Sequence, residues 1–184
     1  MSSDHDSNDP RNDVTPIEPL SSLRAHPQWY FQTGRFERET VISLLVREAS
    51  LSPQVTQASV LKDGPWTAVT ANGDWLEGDL RAFSTPTPFP EGGVNATRFE
   101  ILLTAFCDTV ATSARGRRDD IELARSREIP DSMSAALADI GEGRVIVFRS
   151  PIAEHSPATV TPLSNDIFSQ PRIEKTLQRL EEYA

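Results

Sequence analysis

The apolar positions of the chain first show a helical period between residues 38 and 50. Val41, Leu44 and Leu45 fall on one stripe of this segment, and neighbouring apolar residues widen that stripe. A Ser-Pro pair at 52–53 then supplies a stop signal, because proline cannot continue a helix. The pattern therefore predicts an amphipathic helix over residues 38–50.

Runs of β-branched and apolar residues elsewhere in the chain predict strands. They cover residues 55–62, 66–71, 109–115, 121–127 and 145–148. Asp63-Gly64 separates the first two runs and is typical of a hairpin turn, because glycine tolerates a positive φ. Closely spaced prolines and glycines exclude regular structure further on, so residues 76–94 are predicted to form a loop.

Two further helices are predicted downstream. Thr97 and Glu100 have the spacing of a capping box, in which the hydroxyl and the carboxylate satisfy free N–H groups at the start of a helix. Pro171 marks the start of a final helix, because proline is tolerated in the first turn. Ile173 and Leu177 fall on one face of that last segment.

The order of these elements is helix, hairpin, long loop, helix, a run of strands and a last helix. Strands that pair as a meander, with helices collected on one face, make an α+β two-layer sandwich with a mixed or antiparallel sheet. Residues 1–18 are acidic and rich in Ser, Asp, Asn and Pro. We therefore expect a disordered acidic tail there and a single domain over residues 19–184.

Charge and composition restrict the functional classes. The net charge of −9 over 184 residues disfavours contact with phosphate backbones and argues against direct nucleic-acid binding. Cys107 is the single cysteine, and the three histidines are scattered, so a zinc cluster is not expected. The sequence has neither a run of apolar residues that fits a membrane span nor a secretory signal, so we expect a cytoplasmic protein without membrane contact.

Four segments stand in the order and near the spacing of landmarks in a known ATPase domain. They are SLRAHPQWYF at 22–31, VTANG at 69–73, GGVN at 92–95 and GRVIVF at 143–148. With these segments the chain, over roughly residues 17–184, resembles the N-terminal ATP-binding domain of the DNA gyrase B subunit, a GHKL-type ATPase. The resemblance implies the GHKL (Bergerat-like) arrangement of the α+β fold.

The resemblance also implies where the remnant of a nucleotide cleft would lie. The family has an Mg²⁺-holding residue on its first helix, an adenine-binding Asp followed by Gly-x-Gly, and a glycine-rich lid over the phosphates. The matching positions make up the candidate cleft, which consists of Glu48, Asn72, Gly73, Asp74, Trp75, Gly92, Gly93, Asn95 and Arg98.

The side chains that would perform the ATP chemistry differ from the family's pattern. Leu44 stands where a general base is needed, and it cannot accept a proton. Ala71 replaces the adenine-binding Asp, and Trp75 replaces the second glycine and would fill the adenine site. The lid keeps Gly92-Gly93 and loses its later glycines. We therefore expect no catalytic residues, no cofactor and no bound metal, and hence no enzyme.

These losses predict a non-catalytic GHKL-like protein that acts by binding another protein, with regulation of that partner as a candidate role. The expected partners are a second copy of the chain, a gyrase or topoisomerase-like subunit, or the product of a neighbouring gene. Two alternatives stay open. One is a small-ligand or nucleotide sensor with a remodelled pocket around Glu48, Asp74 and Arg98, and the other is a weak ATPase that a partner's lysine completes.

Overall fold

The computed structural model of the chain describes residues 18–123, 128–138, 141–151 and 159–163. These residues form four α-helices, α1 (Pro19–Ala25), α2 (Arg38–Leu51), α3 (Glu100–Phe106) and α4 (Asp131–Ala138). They also form six strands, β1 (Ala58–Asp63), β2 (Trp66–Ala71), β3 (Thr109–Ala114), β4 (Arg117–Leu123), β5 (Arg144–Arg149) and β6 (Thr159–Leu163). Single turns of 3₁₀-helix lie at Pro27–Trp29, Leu80–Phe83 and Pro90–Gly92.

The strands form one sheet in the order β4-β3-β5-β2-β1-β6. Each recorded pair of neighbours is antiparallel, which confirms the prediction of an antiparallel sheet in an α+β fold. The hairpins β1–β2 and β3–β4 flank β5, and Ile146 of β5 stands opposite Val69 on one side and Thr112 on the other. The strand with the strongest apolar signal in the sequence therefore lies between the two hairpins.

The larger core lies between one face of the sheet and the helices α1, α2 and α3. Ile146 and Phe148 of β5 point into it and pack with Leu45 of α2 and Leu102 of α3. Arg24 of α1 donates from its guanidinium to two backbone carbonyls near the end of α3, at 2.8 and 3.1 Å. These bonds join α1 to α3, and α2 packs in the same core. The sequence predicts a common face of the sheet for the helices that begin near residues 38 and 97.

The opposite face of the sheet carries a second, smaller core. Val145 and Val147 of β5 alternate with the residues of the first core, and they pack with Met133 and Leu137 of α4. This helix corrects the prediction of a two-layer sandwich with helices on one face. Because β5 is apolar on both faces, both faces need a cover, and α4 supplies a third layer.

The element boundaries agree with the sequence where the hydrophobic period is long. The helix predicted over residues 38–50 is α2, and the strands predicted at 66–71 and 145–148 are β2 and β5. The second hairpin turns earlier than predicted, since Arg115 and Gly116 both have positive φ and form a two-residue loop. The helices α1 and α4 and the strand β6 were not predicted.

Two predictions fall on residues 1–17 and 164–184, which lie outside the described residues. They are the acidic tail, apart from Glu18, and the helix from Pro171. Glu18 caps α1, because its carboxylate accepts from the backbone N–H of Ser21 at 2.7 Å. The capping box of Thr97 and Glu100 is wrong, since α3 begins at Glu100 with no side-chain cap and the Glu100 carboxyl group turns into the core.

Candidate functional site

Two carboxyl groups meet in the core between α2 and α3. Glu48 of α2 is 1% exposed and Glu100 of α3 is fully buried. One oxygen of Glu48 accepts the backbone N–H of Phe99 at 2.7 Å, and one oxygen of Glu100 accepts the indole N–H of Trp75 at 2.8 Å. The remaining oxygen of each has no hydrogen-bond donor among the described residues, and the two carboxyl groups are close enough to interact. A proton held between them would let one carboxyl group donate to the other.

The electrostatics of the pair agree with that geometry. Burial raises the pKa of Glu48 well above its usual range, and the neighbouring carboxylate of Glu100 and a hydrogen bond between them raise it further. The Phe99 N–H and the positive charge of Arg98 act in the opposite direction and are weaker. Since two adjacent buried carboxylates cannot both ionise at low cost, Glu48 retains a proton at pH values where a free glutamate has lost it.

Trp75 fills the space beside this pair. It is 1% exposed and is the largest of the fully buried side chains among the described residues. Leu44, at the position that the resemblance assigns to a general base, is buried in the same core. Trp75 and Leu44 therefore serve as packing residues where the family would place adenine and an activated water.

Asp74 is engaged in a second buried polar cluster. Its carboxylate accepts from the Arg144 guanidinium, and both side chains are almost fully buried. Arg144 also donates to the Thr112 hydroxyl at 2.9 Å, and that hydroxyl donates to the Val145 carbonyl at 2.7 Å. Asp74 therefore joins the end of β2 to β3 and β5, and its carboxylate is not directed at a cleft.

Asn72 and Gly73 directly follow β2 and contact the residues that precede β1. The exposed Asn72 side chain accepts two backbone N–H groups, from Thr56 and Gln57, both at 3.0 Å. At Gly73 an added Cβ would collide with the Gln54 carbonyl oxygen, so the close approach of the two backbones requires glycine. Both residues have a structural role in this turn.

The remaining predicted site residues belong to residues 85–97, which we call the proline loop, and to Arg98 beside it. The loop is closed by the Phe89 N–H donating to Ala96 at 2.8 Å and by the Arg98 N–H donating to Thr87 at 2.9 Å. Gly93 and Asn95 both have positive φ at its tip. These two backbone bonds hold a long irregular segment in one conformation.

The outer surface of the proline loop is apolar. Val94 is 95% exposed, and the three prolines at 86, 88 and 90 are also exposed. A concavity of about 680 Å³ is formed by residues 88–90 and 93–97. Underneath, Phe89 is buried, and the Arg98 guanidinium lies 4.6 Å from the centre of its ring. The loop therefore packs against the protein on its inner side and exposes apolar side chains to solvent on its outer side.

The structure thus divides the predicted site among separate places. Glu48, Trp75 and Arg98 come together around Glu100, whereas Asp74 belongs to the Arg144 cluster and the other residues belong to a turn and the proline loop. The sequence reasoning missed the buried roles of Glu100 and Arg144. A signal for Arg144 exists, because it alternates with Ile146 and Phe148 and must share their buried face.

The residues that the structure describes contain no cluster of three or more His, Cys, Asp or Glu side chains that could hold a metal ion. None of the helices in that part of the chain is long and apolar enough to cross a membrane. In comparisons with known proteins, no family model, no curated protein and no solved structure matches this chain. The resemblance to the GHKL ATPases stays a prediction.

Proposed function

We propose that this chain is a non-catalytic protein-binding module, a degenerate relative of the gyrase B ATPase domain, and that the proline loop is its binding surface. The observation that carries the proposal is the 95% exposure of Val94 on a loop that two backbone hydrogen bonds hold in place. Contiguous exposed apolar surface is typical of interaction sites, and Val94 shares this surface with the exposed prolines at 86, 88 and 90.

The interior supports a non-catalytic role. Two polar side chains of the candidate cleft are paired within the protein, Asp74 with Arg144 and Trp75 with Glu100. Opening either pair to admit a ligand would leave a buried charge or donor without a partner, at a cost of about 1–3 kcal/mol or more for each group. A nucleotide could therefore bind these side chains only by breaking contacts that stabilise the fold.

The rigidity of the proline loop supports protein binding in particular. Prolines have a fixed φ, and the bonds at Phe89 and Arg98 restrict the loop further. A partner that binds this surface loses little conformational entropy in ordering it, which favours affinity. The concavity is formed by one loop and bordered by the exposed Val94, so it suits an apolar side chain of a protein partner.

The test is affinity capture from the native host with three forms of the chain. Val94→Glu places a charge at the centre of the proposed surface, and we expect it to reduce capture of a specific partner about tenfold or more. Leu51→Glu makes the same kind of change at an exposed leucine on α2 and is the matched control. The wild type and the control should capture the same protein. Equal capture by all three forms would refute the proposal.

The sensor hypothesis makes a different prediction for the same loop. A volume of about 680 Å³ lies in the range of small-molecule sites, which is roughly 300–1,000 Å³. A thermal-shift screen of small metabolites distinguishes the two, because a true ligand raises the melting temperature. A hit that Val94→Glu abolishes, in the absence of any protein partner, would favour the sensor.

A further inference from the structure

We infer that Glu48 and Glu100 form a proton-controlled latch that holds the proline loop against α2, and that loss of their shared proton releases the loop. The inference rests on the proposed function for its meaning, since release would change the surface offered to a partner. Its structural basis is the contact between two buried carboxyl groups on different helices.

The first half of the latch ties the loop to α2. Glu48 accepts the N–H of Phe99 at 2.7 Å, and Phe99 directly follows Arg98, whose own N–H closes the loop on Thr87. A single α2 side chain thus holds the point where the proline loop enters α3. Phe99 itself packs against the core, so a shift at this point would move the loop and the start of α3 together.

The second half ties α3 to the core. Glu100, the first residue of α3, accepts the indole N–H of Trp75 with one oxygen, and its carboxyl group acts on the neighbouring Glu48. With one shared proton, the carboxyl groups attract each other through a hydrogen bond. Without that proton, two negative charges stand in contact in a buried site, and they repel each other at short range.

Arg98 is the positively charged side chain that acts on Glu48, and it does not neutralise the pair. Its guanidinium lies over the Phe89 ring, and one of its nitrogens is buried without a hydrogen-bond partner among the described residues. The effect of Arg98 on Glu48 is weaker than the effects of burial and of Glu100. The pair therefore depends on its proton.

The consequence is an opening that depends on pH. The closed form binds one proton more than the open form, so the closed form is favoured at acidic pH and loses its advantage as pH rises. Between the ordinary pKa of Glu48 in the open form and its raised pKa in the closed form, the ratio of open to closed molecules rises up to tenfold for each pH unit, and above the raised pKa it levels off. The direction is opposite to that of an ordinary salt bridge, which alkaline pH leaves intact.

Hydrogen exchange of the intact chain between pH 5 and 9 tests the latch without any partner. Rates are corrected for the intrinsic effect of pH, and the segment 85–106 is compared with β5, which reports global unfolding. In the wild type, 85–106 should be less protected than β5, because it opens without global unfolding, and its protection should fall by up to tenfold per pH unit. Protection of 85–106 that does not change with pH, or that equals the protection of β5 at every pH, would overturn the inference.

Three variants locate the effect. Glu48→Gln keeps an oxygen for the Phe99 N–H and an N–H for Glu100 but cannot ionise, so its protection should not depend on pH. Glu100→Gln is the second variant and should weaken the pH dependence, since it removes the effect of Glu100 on Glu48 and leaves that of burial. Glu39→Gln is the control, because Glu39 lies on the same helix and its side chain is 64% exposed. In this variant the protection of 85–106 should depend on pH as in the wild type. If the protection of 85–106 depended on pH as in the wild type in both Glu48→Gln and Glu100→Gln, the latch would be overturned. The result of the capture experiment would be unaffected.

Discussion

Replacement of Trp75 by alanine should destabilise the chain strongly, because this side chain joins the packing and the polar contacts of the core. It is 1% exposed, and its indole donates to Glu100 at 2.8 Å. Deletion of a buried aromatic side chain costs about 3–5 kcal/mol, and loss of the donor to a buried carboxyl group costs about 1–3 kcal/mol. The two effects overlap, so we expect a loss of about 4–6 kcal/mol in the free energy of unfolding.

The assay is urea unfolding followed by far-UV circular dichroism, with linear extrapolation to water. Trp75→Phe isolates the hydrogen bond, because it keeps most of the apolar volume, and it should cost about 1–3 kcal/mol. If Trp75→Ala does not fold, Trp75→Phe still tests the prediction. Trp29→Ala is the matched control, since Trp29 is 52% exposed and stacks on His26. The control should cost less than about 1 kcal/mol.

Similar losses of unfolding free energy in Trp75→Ala and Trp29→Ala, or wild-type stability of Trp75→Phe, would contradict this role of Trp75. The first result would mean that Trp75 does not pack in the core. The second would mean that the bond to Glu100 contributes nothing, and the account of the carboxyl pair would lose one of its two supports.

Three other predictions follow from the buried groups. Arg144→Met should cost about 3–5 kcal/mol of unfolding free energy, because it leaves the buried Asp74 without its ion-pair partner. Arg81→Met removes an exposed ion pair and should cost less than about 1 kcal/mol. Both values come from the same urea assay. The folded-state pKa of Glu48 is raised, so its contribution to stability should fall as pH rises from the unfolded value of about 4.3 towards the folded value. The difference between wild type and Glu48→Gln, measured by urea unfolding at several pH values, reports this slope. Millimolar adenine nucleotides should leave the melting temperature unchanged and release no phosphate, since a ligand at a hundredfold excess over Kd would add about 2.7 kcal/mol.

The sequence predicts the parts of this fold in which one face stays apolar over many residues. The α2 stripe through Leu44 and Leu45 and the run in β5 are such parts, and their bounds agree with the structure to within a residue or two. The helices α1 and α4 have seven and eight residues. A helix of two turns presents only one or two apolar pairs, such as Met133 and Leu137, and so gives little periodic signal.

The candidate site was less predictable because tertiary contacts decide it. Glu100 has the spacing of a capping residue, but the indole N–H of Trp75 and the carboxyl group of Glu48 are its partners in the fold. Those partners lie 25 and 52 positions away in the sequence, beyond the reach of any local pattern. Asp74 similarly has a partner, Arg144, that only the pairing of β2 with β5 brings near.

Binding of a protein partner at the proline loop can be tested by a hydrogen-exchange footprint of the chain with the captured partner. The amides of residues 85–99 should exchange more slowly in the complex than in the free chain, and the amides of the β3–β4 hairpin should exchange at the same rate in both. Val94→Glu should remove the protection. Slower exchange in the hairpin or in α4, with residues 85–99 unchanged, would contradict the claim.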